Sequence, residues 1–237
     1  MVRIIISLHL NKEKVKSIAM PDVFEYKPPN LPVDILYYDA HFVVVDKPSG
    51  LLSVPGKGEH LRDCLMSRVQ KIFPESLLVH RLDLETSGVM LFALTRHAQR
   101  HLGLQFEKRQ IKKTYIARVW GEVSEKMGEV DLPLIVDWPN RPRQKVCHET
   151  GKMAYTEWRV LKKDRMSTRV RLKPTTGRSH QLRMHMLSIG HVILGDKLYA
   201  DGEALHAAER LLLHAESIKF RHPEGGRGVV FKSACPF

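Results

Sequence analysis

From Val33 onward the chain alternates short β-branched and aromatic runs with turn residues, and only a few stretches carry helical spacing. Asp34 to Tyr38 and Phe42 to Asp46 (FVVVD) read as paired strands. Lys47-Pro48-Ser49-Gly50 stops the sheet and opens a Gly/Pro loop that runs through Gly58. Leu61, Leu65, Met66, Val69, Ile72 and Phe73 then share one face at helical spacing, which predicts a helix from Leu61 to Phe73. Apolar strands at Leu77 to Val79 and Gly88 to Leu94 flank a polar corner. A helix is expected over about Ala98 to Lys108 and a strand over Thr114 to Trp120. The second half predicts strands near Ala154 to Leu161 and Thr168 to Leu172 and a helix from about His180 to Ile189. Strands near Leu211 to Phe220 and Val229 to Lys232 complete it. Strands outnumber helices and many connections are hairpin-like. The expected class is therefore α+β, a mixed, largely antiparallel sheet with flanking helices, rather than a doubly wound βαβ fold.

Residues 1–31 carry the weakest pattern and end in Lys27-Pro28-Pro29-Asn30 with Pro32 behind. Consecutive prolines withhold backbone donors, so 1–31 reads as an N-terminal tail or linker and 32–237 as the folded unit. Met20 would serve equally well as a start, which fits an over-long gene model. Met1 to Leu10 has no small-residue cleavage site after its apolar stretch, which argues against a signal peptide. No run approaches the ~18 apolar residues of a membrane span.

Composition changes the picture mainly through charge. Lys plus Arg number 38 against 26 Asp plus Glu, a net +12. A polyanionic partner explains such an excess, because phosphate neutralisation supplies most non-specific nucleic-acid affinity. A generally basic, solvated surface is the blander explanation. The cations are interspersed, as in Arg141-Pro142-Arg143-Gln144-Lys145, which suits a folded binding face better than a disordered arm. Cys64, Cys147 and Cys235 are odd in number, far apart and in no C-x-x-C pair. That pattern predicts a reducing, cytoplasmic setting and neither a disulfide frame nor a zinc site.

Three segments concentrate the chemistry. His80-Arg81-Leu82-Asp83-Leu84-Glu85-Thr86-Ser87-Gly88 packs a carboxylate, an arginine and small polar residues into a corner between buried strands. Its bland alternative is a turn in which Asp83 and Ser87 bond only to backbone. Lys112-Lys113-Thr114-Tyr115 sets a phenol in a strand beside two cations. Thr175-Thr176-Gly177-Arg178-Ser179-His180-Gln181-Leu182-Arg183 uses a Gly turn and Ser179, a good N-cap, to launch a helix with Arg183 in its first turns. A helix N-terminus near arginines is a natural anion seat. A glycosidase needs two carboxylates across one cleft, and the corner leaves the relation of Asp83 to Glu85 undecided. G-x-S-x-G, P-loop and G-x-G-x-x-G patterns are absent. His180 and His185, five apart, diverge around a helix rather than chelate a metal, and His185 and His191 suit core or surface roles.

At this point HRLDLETSG is seen to resemble the signature HRLD-x-x-TSG of the RluA family of RNA pseudouridine synthases. The resemblance continues through KKTYIARVWG, LKPTTGRSHQLRMHMLSIGHVILGD and LLLHAESIKF, nearly everything from about residue 33 onward. It implies the pseudouridine synthase-like fold with a central catalytic cleft, no cofactor, and action on a tRNA anticodon stem-loop uridine and a 23S rRNA stem-loop uridine. Family members often carry an N-terminal S4 RNA-binding domain; too few residues precede the catalytic region here, so none is expected. By the same resemblance Asp83 is the essential carboxylate, which either attacks C1′ or removes a proton from C2′. Arg183 matches its cationic partner, and a nearby cation favours the charged form of a carboxylate. Tyr115 matches the residue that stacks on the uracil, although a strand Tyr capping the core would look the same. Arg81 matches the residue that enters the RNA where the base was, offsetting part of the few kcal/mol of flipping. His80, Lys113, Arg178, Arg141, Arg143 and Lys145 complete the RNA-binding candidates, with His80 and Leu182 equally suited to packing. A monomer is expected, and the different-class alternative is a non-catalytic RNA-binding or ribosome-assembly protein that keeps the fold.

Overall fold

The computed structural model describes residues 25–237, so the alternative start at Met20 and most of the 1–31 tail lie outside the described residues. The first half of the described chain contains strands β1 (Asp34–Tyr38), β2 (Phe42–Lys47), β3 (Leu77–Leu78), β4 (Ser87–Ala93) and β5 (Lys112–Trp120). Helices α1 (Leu65–Gln70) and α2 (Arg96–Glu107) stand among them. Next come β6 (Met127–Asp131), the hairpin strands β7 (Leu134–Val136) and β8 (Gln144–Val146), β9 (Tyr155–Lys163) and β10 (Ser167–Pro174). Helices α3 (Gln181–Ser188) and α4 (Gly202–His206) precede β11 (Leu213–Arg221) and β12 (Gly228–Lys232). Ten strands form one sheet in the order β1-β2-β4-β11-β5-β10-β9-β6, with β12 beside β11 and β3 beside β4; β7 and β8 pair separately. The β4–β11 pair is parallel and the other pairings are antiparallel. The expected α+β class, mixed and largely antiparallel, is the one adopted.

The continuous apolar runs of β2 and β4 follow from being covered on both faces, as such runs usually are. Phe42, Val44, Val89 and Leu91 pack under Ala98 and Leu102 of α2. Val43, Val45, Met90 and Phe92 face the other way, onto Leu65 and Val69 of α1. A third cluster sets Leu182 and Met186 of α3 against Ala117, Val170 and Leu172 of β5 and β10.

The parallel pair is short and tight. His214 and Ala215 of β11 meet Ser87 and Gly88 of β4, after which the strands part and β12 and β3 take the vacated edges. Gly88 makes this contact possible: its φ is +113°, and a Cβ there would stand 2.3 Å from the Ala215 carbonyl oxygen.

Two expectations need correction. The helix expected over Leu61 to Phe73 spans only Leu65–Gln70, after a 3-10 turn at Glu59–Leu61. Cys64 and Ser67 close a reciprocal capping box that fixes its start, and the chain turns toward Pro74 at its end. Ser179 does not cap α3. His180, in the left-handed region at φ 51°, holds the cap position without a side-chain cap bond. Instead Gln181 Oε1 accepts the Arg178 amide at 3.0 Å.

Ahead of β1, residues 25–33 form neither helix nor strand but are tied to the body. Tyr26 Oη donates to the Asp63 carbonyl at 2.8 Å, and Arg68 donates to the carbonyls of Pro29 and Leu31.

Candidate active site

The corner between β3 and β4 owes its shape to the carbonyls of Leu82 to Glu85, each of which accepts a hydrogen bond. Ser53 Oγ donates to the Leu82 carbonyl at 2.6 Å and accepts the Leu82 amide at 3.1 Å. The Gly50 amide and Lys47 Nζ donate to the Leu84 carbonyl, and Ser49 Oγ donates to that of Glu85. The Thr86 amide returns to the Asp83 carbonyl at 3.2 Å. With its backbone pinned between the loop after β2 and its own turn, the corner leaves the Asp83 side chain aimed outward.

What it faces is a cavity of about 590 Å³. The walls include Asp83, Tyr115 and Arg183 together with His80, Arg81, Lys113 and Arg178, so seven of the expected site residues are brought together. Arg141, Arg143 and Lys145 are not in the wall; they stand exposed on the β7–β8 hairpin, whose Pro142 does reach the cavity. Asp83 is the one acidic residue among the described lining residues. Glu85 points elsewhere, bonded by Ser49 and 3.6 Å from Lys197 Nζ, which settles the relation of the two carboxylates. Among the described residues a two-carboxylate glycosidase arrangement is not present in this cleft.

Arg183 Nη1 lies 3.7 Å from Asp83 Oδ2. The guanidinium is buried and held by Asp196, which accepts from Nε at 2.7 Å and from Nη2 at 2.6 Å. Asp196 is fully buried and also accepts the amides of Leu198 and Tyr199. The Tyr199 ring stands 5.0 Å from the guanidinium carbon, and its Oη lies 2.7 Å from His180 Nδ1 while accepting the Gln144 amide at 2.7 Å. Burial raises the Tyr199 phenol to about 12.

Tyr115 rises from β5 between Leu172 and Ala215. Burial, and then the Asp83 carboxylate, push its phenol above the ordinary range, so it stays protonated at neutral pH. Burial pulls Lys113 down to about 8, and its Nζ donates to the Thr176 carbonyl at 3.0 Å. His80 faces inward: its Nε2 accepts the Leu91 amide at 3.0 Å and its ring lies 5.0 Å from Phe106. Burial lowers its pKa to about 3, so it is a neutral buttress whose bonds are those of the packing role. Arg81 and Arg178 are exposed at the rim. His185 is a satisfied core histidine, between Thr156 Oγ1 and the Leu132 carbonyl.

The combination is one carboxylate, one restrained guanidinium and one neutral phenol at a cavity rimmed by cations. It presents a single anionic group to whatever the cavity holds. Comparison with known proteins decides the family. A family profile described as RNA pseudouridylate synthase matches residues 41–188. The chain belongs to the RNA pseudouridylate synthase family. It is 56% identical over 214 residues to the dual-specificity RNA pseudouridine synthase RluA of Escherichia coli K12, spanning 90% of this chain and 98% of that one. Against the RluA of Yersinia pestis it is 57% identical over 204 residues, 86% and 99% of the two chains. Among solved structures, human RNA pseudouridylate synthase domain containing 1 superposes with a TM-score of 0.73 at 26% identity, over 92% of this chain and 87% of that chain. Human RNA pseudouridylate synthase domain containing 4 gives 0.69 at 25%, over 86% and 88%. The chain is thus an RNA pseudouridine synthase.

Three residues of this synthase escaped the reading of the sequence. Asp196 sits in ILGD, where nothing local distinguishes it from a turn residue. Tyr199 likewise follows in a loop. Lys47 is fully buried and donates to the carbonyls of Pro48, Leu51 and Leu84 at 2.7–2.9 Å. Three acceptors match the three N–H bonds of an ammonium, and burial draws its pKa down to about 7. The available signal was a lysine that follows the apolar run Phe42–Val45 and Asp46 at the end of the strand.

Proposed function

We propose that this synthase isomerises uridines presented in RNA stem-loops, one in a tRNA anticodon stem-loop and one in 23S rRNA, with Asp83 as the group that opens the glycosidic bond. The dual specificity in the names of its relatives supports two RNA classes. The observation that carries the residue assignment is the lone cavity-facing carboxylate of Asp83, its side chain 30% exposed, 3.7 Å from a buried arginine.

The reaction breaks N1–C1′, turns the uracil and rejoins it through C5, with no net change of atoms or electrons. A charged Asp83 is the starting point whether it attacks C1′ or takes the C2′ proton, and Arg183 supplies the counter-charge. Tyr115, neutral and partly buried, offers its ring to the uracil and its hydroxyl near C5. Arg81 at the rim fills the gap that the flipped base leaves in the stack, where a guanidinium can both stack and donate. Lys113 and Arg178 bind the flanking backbone. Residues 32–237 act as one catalytic unit, as a monomer in the reducing cytoplasm, in keeping with three free cysteines.

Tritium release from C5-labelled uridine in RNA tests the assignment. Wild type releases tritium and leaves no free uracil, whereas Asp83→Asn releases none yet binds the RNA. Equal release from both proteins would refute the role of Asp83. Deuterium at C2′ slows the reaction only if that proton is removed. Pseudouridine mapping in cells with and without the gene identifies the target uridines.

A further inference from the structure

The β7–β8 hairpin ends in a loop that the chemistry above does not use. Trp138 is 64% exposed there, although the Arg141 guanidinium lies 3.9 Å above its ring, so the opposite ring face is open to solvent. A large indole left open in this way is unusual unless something covers it. The loop that carries it is tightly bonded. The Asp137 amide donates to the Arg143 carbonyl, the Arg143 amide to that of Asn140, and Asn140 Nδ2 to Asp137 Oδ2 at 2.7 Å. Arg141 Nε donates to the Trp138 carbonyl, which fixes the guanidinium over the ring.

The hairpin is also set rigidly against the catalytic centre. Leu134 and Val146 pack on Met184 of α3, and the Gln144 amide donates to Tyr199 Oη beside Arg183. At the tip, Pro142 enters the cavity wall between the exposed Arg141 and Arg143. The loop therefore borders the cavity directly.

We infer that Trp138 is a stacking platform for an unpaired RNA base next to the flipped uridine, sandwiched with Arg141 while Arg143 meets the adjoining phosphate. This rests on the stem-loop substrate proposed above. A nucleobase fits the observations: the indole offers a flat π-face, the guanidinium beside it favours a stacked partner, and the surrounding charge selects a polyanion. A base held there fixes the register in which the loop meets Asp83, so the hairpin selects loop geometry rather than base identity, since every base has a π-face.

Wild type, Trp138→Phe and Trp138→Ala are titrated with a uridine-bearing RNA hairpin, following tryptophan emission and filter binding. RNA quenches wild-type emission, and the quench is missing in Trp138→Phe, because Trp158 is buried and Trp120 half-buried. Trp138→Phe keeps affinity within about threefold, whereas Trp138→Ala loses about tenfold, in the range of one base–aromatic stack. The loss appears in KM rather than kcat and is absent with fully duplex RNA. Wild-type affinity in Trp138→Ala, or an equal loss toward duplex RNA, would overturn the platform. A hairpin that quenches Trp138 without being isomerised leaves the platform standing and strikes at the substrate assignment. One that is isomerised without quenching sinks the platform alone.

Discussion

Asp196 takes the Nε and Nη2 edge of Arg183 with bonds of 2.7 and 2.6 Å, which leaves Nη1 to face Asp83 at 3.7 Å. The guanidinium is thereby anchored to a buried acid and only offered to the cavity-facing one. A carboxylate locked in two short bonds to arginine would have little freedom to reach a sugar. Asp196→Asn removes the anchor's charge from a buried pair, a change that costs about 3–5 kcal/mol. It also lets Arg183 close on Asp83. The expected result is a lower melting temperature together with a fall in kcat of about a hundredfold, the scale of a small misplacement at a reacting centre. A variant that melts early but keeps its kcat under folding conditions would confine Asp196 to the fold.

Lys47 ties both walls of the corner to one nitrogen. Lys47→Met keeps the length of the stem but strands the carbonyls of Pro48 and Leu51 and leaves that of Leu84 to the Gly50 amide alone. We expect a loss of roughly 3 kcal/mol in urea unfolding, since buried acceptors left without donors are costly. Activity should fall beyond what the unfolded fraction explains, because Leu84 adjoins Asp83. Unfolding curves and kcat measured on the same preparations check both halves.

Acid should weaken this fold through its buried histidines. His80 is held neutral in the native state, with its pKa lowered from 6.5 to about 3. An unfolded chain binds the proton first, so the contribution of His80 is fully present above pH 6.5 and is lost as pH falls toward about 3. Burial lowers His185 and His214 as well, and they act in the same direction. His80→Gln should flatten, but not abolish, the decline of unfolding free energy with acid. An unchanged slope would show that His80 is already charged in the native protein.

RNA affinity should fall steeply with salt. Phosphate neutralisation predicts a decline of log K against log salt of about 0.7–0.9 per neutralised phosphate. Arg143→Ala should remove about one such increment and weaken all RNAs alike. A flat salt response in the wild type would count against a broad phosphate-binding face.

Much of this was legible in the chain because its signals are local. FVVV and VMLFA are apolar runs with no solvent face, and they became the doubly covered centre of the sheet. Asp83, Tyr115 and Arg183 were brought to one cavity from segments that each looked unusual alone. Asp196 was not legible, because its meaning lies in a guanidinium thirteen residues away that only tertiary packing delivers. β6, β7 and β8 were missed since their short, half-exposed segments are stabilised by partners rather than by pattern. Conversely, the apolar spacing from Leu61 to Phe73 overstated a helix that Cys64 and Ser67 start late.

Gly88 closes the signature stretch that begins at His80, and its role is architectural. Because β4 and β11 touch there backbone to backbone, even a methyl group at that position would wedge the two half-sheets apart just where the acid's corner is hung. The cavity's acid and the scaffold share a single seam, so a mild loosening of the sheet would displace Asp83 well before the molecule unravelled.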